Sequence, residues 1–200
     1  MKMLFATALI VLAGSSAAQA FDADTQAIVE HQKVRKLLNT TDVGHLMAAS
    51  ERWCYAEIEG TCAWSDIYLD VDESAASFEL GNAWTDDLDI AYTNGGYFED
   101  DRYICAFNID WTPTLRATRR DDGTAIGGRE LAAIKAELQH YATGATEDCF
   151  DYLYLSADAK GQTITLLQRQ YEDGEYVVDK DVQVTLHFNP RKAAALTQRL

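Results

Sequence analysis

The sequence predicts an α+β domain of mainly antiparallel sheet, with two N-terminal helices, one mid-chain helix and a short C-terminal helix. Three observations carry that expectation. Apolar residues recur at helical spacing up to Cys54. From about Thr61 the period changes to two. The segments that follow read as a meander, a helix and a hairpin.

Residues 1–20, MKMLFATALIVLAGSSAAQA, come before any of this. Lys2 is a short positive start, Met3 to Ala13 an apolar run, and Ala18-Gln19-Ala20 a small-x-small cleavage signal. The run falls short of the ~20 residues that cross a bilayer. A cleaved signal peptide is expected, with the mature chain starting at Phe21 and residues 21–200 forming one domain in the periplasm or outside the cell. No later stretch is apolar enough to span a membrane.

Asp22, Asp24 or Thr25 can cap a first helix with Val34, Leu37 and Leu38 on its buried side. Asn39-Thr40-Thr41-Asp42 breaks it and caps the next. In that second helix Val43, Leu46, Met47, Ser50, Trp53 and Cys54 form one stripe. In Ser65 to Asp72, strand alternation puts Ile67, Leu69 and Val71 on the buried face and Asp66, Tyr68, Asp70 and Asp72 on the wetted one. Short strands follow around 78–80 and 88–92, then a turn at Asn94-Gly95-Gly96. Tyr103 to Trp111 is apolar on both faces, as in a strand covered on both sides. Leu131, Ile134, Leu138 and Tyr141 mark the third helix, stopped at Gly144. A hairpin turning at Asp173-Gly174 places Tyr171 opposite Tyr176, and Asp179-Lys180-Asp181 interrupts its return strand. Asn189 and Pro190 open the last helix.

The four cysteines imply two disulfides in an exported chain, and three connectivities exist. Cys54–Cys62 and Cys105–Cys149 are favoured, worth about 2.5 and about 4 kcal/mol on the chain-entropy model. Zinc is disfavoured, since neither CxxC nor HxxxH occurs.

Seventeen Lys+Arg against 32 Asp+Glu gives −15, which argues against nucleic acid and for a partner with a basic surface. Acids crowd at Asp66, Asp70, Asp72 and Glu73, at Asp86, Asp87 and Asp89, and at Glu99 to Asp101. Such clusters can hold calcium or supply a glycosidase pair, although the EF-hand pattern is absent. Equally, alternating acids wet the outer face of a sheet. Trp84, Tyr97 and Phe98 are candidate exposed aromatics, while Trp53 and Trp111 read as core. Arg116, Arg119 and Arg120 form the densest cationic stretch, suited to an anion or to clamping Asp121-Asp122. His187 alternates with Leu186 and Phe188 and is expected to face solvent. Asn39-Thr40-Thr41 fits the N-glycosylation sequon. None of the common hydrolase, metalloprotease, Walker or dinucleotide signatures occurs.

Together these features suggest an exported, non-catalytic module that binds a protein or a cell-envelope component, such as an inhibitor of a basic secreted enzyme. A hydrolase using Asp70, Asp72, Asp87 and Asp89, with or without calcium, is the second expectation. A carbohydrate-binding module using Trp84 and Tyr97 is the third.

Overall fold

A computed structural model describes residues 21–107, 109–142 and 148–200; the expected leader and the Gly144 stop lie outside the described residues. Among the described residues four α-helices are present, α1 (Ala23–His31), α2 (Thr40–Ala49), α3 (Gly128–Ala142) and α4 (Pro190–Ala194). The strands are β1 (Arg52–Tyr55), β2 (Thr61–Cys62), β3 (Trp64–Val71), β4 (Ala75–Ala83), β5 (Leu88–Glu99), β6 (Tyr103–Ala106), β7 (Arg116–Arg119), β8 (Asp148–Asp158), β9 (Thr163–Glu172), β10 (Glu175–Tyr176), β11 (Val182–His187) and β12 (Thr197–Gln198).

The expected α+β class is corrected by the sheet topology. Strands β1, β3, β4, β5, β6, β8, β9 and β11 pair antiparallel in chain order, and β11 returns to pair with β1 from Arg52↔His187 to Tyr55↔Val184. The result is a closed, up-and-down, eight-stranded antiparallel β-barrel, in which the helices cover a barrel rather than pack as a layer on an open sheet. Closure pairs every edge, which a meander of half-buried strands otherwise leaves exposed.

The strand that closes the barrel was expected to be helix. α2 stops at Ala49, where Ser50 turns extended at φ −90°, ψ 151°. Trp53 and Cys54 therefore do not continue a helical stripe; they lie on opposite faces of β1. Trp53 points inward, and Cys54 reaches outward to Cys62. α1 is likewise shorter than expected: Leu38 is fully buried, but Val34 is 67% exposed and Leu37 40%. The caps are as read from the sequence, with Asp22 accepting from the Asp24 and Thr25 amides and Asn39 from that of Asp42.

α2 plugs one end of the barrel. Val43, Leu46 and Met47 are buried there with Phe21, Leu38 and Leu186, each contributing roughly 1.5–3 kcal/mol by burial. Gly44 lets the helix approach β5, since a Cβ there would sit 3.4 Å from the Phe98 ring. Trp53 lies just inside, its indole donating to Ser50 Oγ at 2.7 Å and its ring edge-on to Tyr68 and Tyr152 at 5.2 and 5.3 Å.

A second core continues the inward face of the sheet beyond the end of β6, where Ile90 pairs with Asn82 and Ala117 in register with inward-facing Trp64. β5 pairs with β6 along one half and with β7 along the other, so residues 109–115 leave the barrel wall between them. The continuous strand expected from Tyr103 to Trp111 thus ends at Ala106. α3 covers the gap with Leu131, Ile134 and Leu138, the expected stripe, against Ile90, Leu115, Ala117 and Ile126. The side chain of Tyr141 lies outside the description.

Both disulfides join the cysteines paired on sequence grounds, Cys54–Cys62 and Cys105–Cys149. The second crosses β6 and β8, which share just two register pairs, Ile104↔Phe150 and Cys105↔Cys149. It staples the shortest seam of the barrel. The β9–β10 hairpin turns through Asp173 and Gly174 at φ 49° and 81° with Tyr176 opposite Tyr171. Val178–Lys180 is a 3₁₀ turn before β11. Among the described residues no helix is long and apolar enough to cross a membrane.

Candidate functional site

The half of the barrel away from α2 is not filled. Register pairs place Ala76, Gly96 and Ala106 side by side on three adjacent strands, facing inward, so this wall has almost no side-chain volume. Gly96 has no room for more, because a Cβ would fall 2.8 Å from the Cys105 carbonyl. Most of the rest of the lining is aromatic, with Tyr55, Trp64, Tyr68, Phe78, Phe150 and Tyr152. Small residues on one wall and rings on the others enclose a cavity of about 200 Å³.

Asp66 lies among those rings. Along β3 the inward residues are Trp64, Asp66 and Tyr68, and Asp66 is only 5% exposed. Its Oδ2 accepts from the Tyr55 hydroxyl at 2.9 Å, whereas its Oδ1 has no hydrogen-bond partner among the described residues. Among the described residues no Lys, Arg or His lines the cavity. Burial therefore pushes the Asp66 carboxyl up from 3.8 to about 7, with the Tyr55 hydrogen bond pulling the other way. Burial also raises the surrounding phenols, helped by the nearby Asp66 charge: Tyr92 to about 12, and Tyr55, Tyr68 and Tyr152 upward as well. The Tyr152 hydroxyl donates to Gln168 at 2.9 Å. At the rim, Gln170 donates to Asp148 at 3.2 Å. A polar rim, aromatic walls and one under-bonded acid suit small-molecule binding.

The face assignment of β3 is thus inverted from the sequence expectation. Asp66 and Tyr68 face the interior, Ile67 faces outward, and Leu69 is 56% exposed. A register shift between Tyr68 and Asp70 ejects Leu69 and returns Val71 to the core. The available signal was the composition of the other face: Asp66 is flanked at two residues on either side by Trp64 and Tyr68, an aromatic face that belongs inside.

The residues expected to bind or catalyse lie elsewhere. Trp84 is half-buried against the α3 core. Tyr97 and Phe98 are strand neighbours on opposite faces: Tyr97 packs outward on the Cys105–Cys149 seam and Phe98 inward beneath α2. They form no common aromatic surface. Arg116 pairs with Glu79, Arg119 with Glu130 at 3.0 Å, and Arg120 with Asp89 at 3.2 Å. These arginines are spent on separate acids, in place of the expected clamp on Asp121-Asp122. Asp70 and Asp72 sit at the β3–β4 turn, and Asp87 and Asp89 at the β4–β5 turn. The length of β4 separates them by about 27 Å, so the four cannot share an ion or act as one pair. Asp72 instead caps its turn, accepting from the Ser74 and Ala75 amides. His187 is buried rather than solvent-facing, because the loop after β1 brings Glu57 to 2.9 Å from its Nε2.

Other donor clusters have simpler roles. Two of them, Cys54–Glu57–His187 and Glu99–Cys105–Cys149, contain disulfide sulfurs. In the third, Asp22–Asp24–His45, Asp22 is already the α1 cap. A groove of about 510 Å³ on the outer face holds Glu79, Asp89 and Arg116, all ion-paired. Comparison of the chain with known protein families, with curated proteins and with solved structures finds no match.

Proposed function

We propose that this is an exported, non-catalytic binding protein whose ligand is a small, largely apolar molecule held in the barrel lumen. The carrying observation is the space of about 200 Å³ left between the Gly96–Ala106 wall and six aromatic side chains. Protein interiors are packed with few voids larger than a water molecule, so a lumen of this size is a built feature. An eight-stranded barrel is wide enough for one small ligand, and this volume suits about ten non-hydrogen atoms, a cavity of ~150 Å³ being enough for benzene.

Export is supported by two features. The two disulfides are compatible with an oxidising compartment. Phe21, the expected first mature residue, is already buried edge-on to Phe188 at 5.1 Å, so the fold begins where the leader is expected to end.

Trp64 lines the cavity and Trp53 adjoins it, so tryptophan emission reports on occupancy. Titration of the oxidised mature chain with indole and benzyl alcohol should give saturable changes. Ala106→Leu, which fills the small-residue wall, should weaken both by about tenfold or more. A flat response to both probes in the wild type rejects the reading.

A further inference from the structure

Resting on the lumen as a ligand site, we infer that its ligand is a small organic cation, a protonated arylalkylamine whose ammonium pairs with Asp66. Four observations converge. The acid is buried in an aromatic cavity and, among the described residues, has a single hydrogen bond, from Tyr55, and an Oδ1 without a partner. No cationic side chain among the described residues lines that cavity, so the protein supplies no counter-ion. An uncompensated buried carboxylate costs several kcal/mol, and a ligand cation is what offsets it. Rings line the walls around the acid, and Trp64 stacks on Tyr55 at 4.7 Å; such π-faces attract an ammonium group as well as an aryl group. The net charge of −15 raises the local concentration of cations and lowers that of anions.

Binding moves one proton. Near neutral pH the free protein holds part of Asp66 as the acid; on pairing with the ammonium the carboxyl proton leaves to the buffer and the carboxylate remains. The other titratable groups lining the cavity are Tyr55 on β1, Tyr68 on β3, Tyr152 on β8 and the rim acid Asp148, and Tyr92 on β5 lies close enough to feel the Asp66 charge. Burial holds the four tyrosines neutral through this range. β4, β6 and β9 present only Phe78, Leu80, Ile104, Ala106, Gln168 and Gln170.

The test uses three probes of nearly equal size on the oxidised mature protein: benzylamine, benzyl alcohol and benzoate, at pH 5.5 and pH 8.0. At pH 8.0 benzylamine should bind about tenfold or more tighter than benzyl alcohol, as a desolvated charge-assisted pair implies. The advantage should shrink at pH 5.5 and vanish in Asp66→Asn while benzyl alcohol binding persists. Calorimetry near pH 6.5 in buffers of different ionisation heat should show net proton release with benzylamine alone, a wild-type measurement independent of how the variant folds. Equal binding of amine and alcohol at pH 8.0 overturns the cation assignment and leaves the lumen as a ligand site. Tightest binding of benzoate does the same. No binding of any probe overturns both.

Discussion

Two buried aspartates stand on opposite faces of the barrel sheet, Asp66 inside on β3 and Asp151 outside on β8, and the protein treats them differently. Asp151, on β8, is fully buried and faces outward. Arg102 donates to it at 2.9 and 2.8 Å, Arg169 at 2.7 and 2.5 Å, and the Tyr171 hydroxyl at 3.1 Å. Asp66, nearly as buried, faces inward and receives one hydrogen bond. A fold that gives one carboxylate two guanidinium groups and a phenol is not short of means to satisfy the other. Asp151 braces the short β6–β8 seam, because Arg102 precedes β6 and Arg169 lies on β9. Asp66 braces nothing comparable, and its cost to stability is consistent with a role in binding.

The contrast breaks first at the seam. Replacing Cys105 and Cys149 together by alanine should lower stability by about 4 kcal/mol, by releasing a long loop in the unfolded chain. Asp151→Asn should cost about 3 kcal/mol, near the low end for breaking a buried pair because both arginines keep some solvent. Urea unfolding of each variant measures both losses; an Asp151→Asn protein as stable as wild type removes the bracing role.

Asp66→Asn should act with the opposite sign. The folded chain holds the Asp66 proton up to about pH 7, against 3.8 for the free carboxyl. Stability from this group is complete below pH 3.8 and is lost as pH rises through 7. At pH 8 the neutral variant should be more stable than wild type by as much as about 4 kcal/mol, and the difference should disappear near pH 4. Paired melts at the two pH values check this. A variant less stable than wild type at pH 8 means that the carboxylate has a compensating partner in the folded chain.

How far this was legible differs by element. Local chemistry showed through: the Asp22 and Asn39 caps, the α3 stripe, the Asp173-Gly174 turn and the cysteine pairs all depend on residues near in sequence or on a unique reactive type. Closure did not, because Arg52 and His187 pair across most of the chain and no local period records that partnership. The same gap misled β1, whose Trp53 and Cys54 fit helical spacing as well as a strand. On β3 both faces carry apolar residues, and the register shift after Tyr68 breaks the alternation that would have settled which is inside. The site was therefore read inside out: Asp66 was visible as an acid, but its isolation depends on β1, β5 and β8 closing around it.

The smallest expected effect sharpens the comparison most. Tyr55→Phe deletes the single hydrogen bond to Asp66 and leaves the aromatic wall in place. Loss of one hydrogen bond should cost about 1 kcal/mol at pH 8, where the carboxylate needs it, and less near pH 5, where the acid is neutral. The Asp66 titration, followed by its carboxyl infrared band or by tryptophan emission, should move to higher pH, because the hydroxyl favours the charged form. At Asp151 the equivalent deletion, Tyr171→Phe, should cost little stability, since two guanidinium groups still donate to that carboxylate. Equal responses at the two sites would show that Asp66 has compensation comparable to that of Asp151. A large response at Asp66 alone would mark it as the carboxylate without a counter-ion, with Tyr55 as the one group that steadies its charge in the unliganded protein.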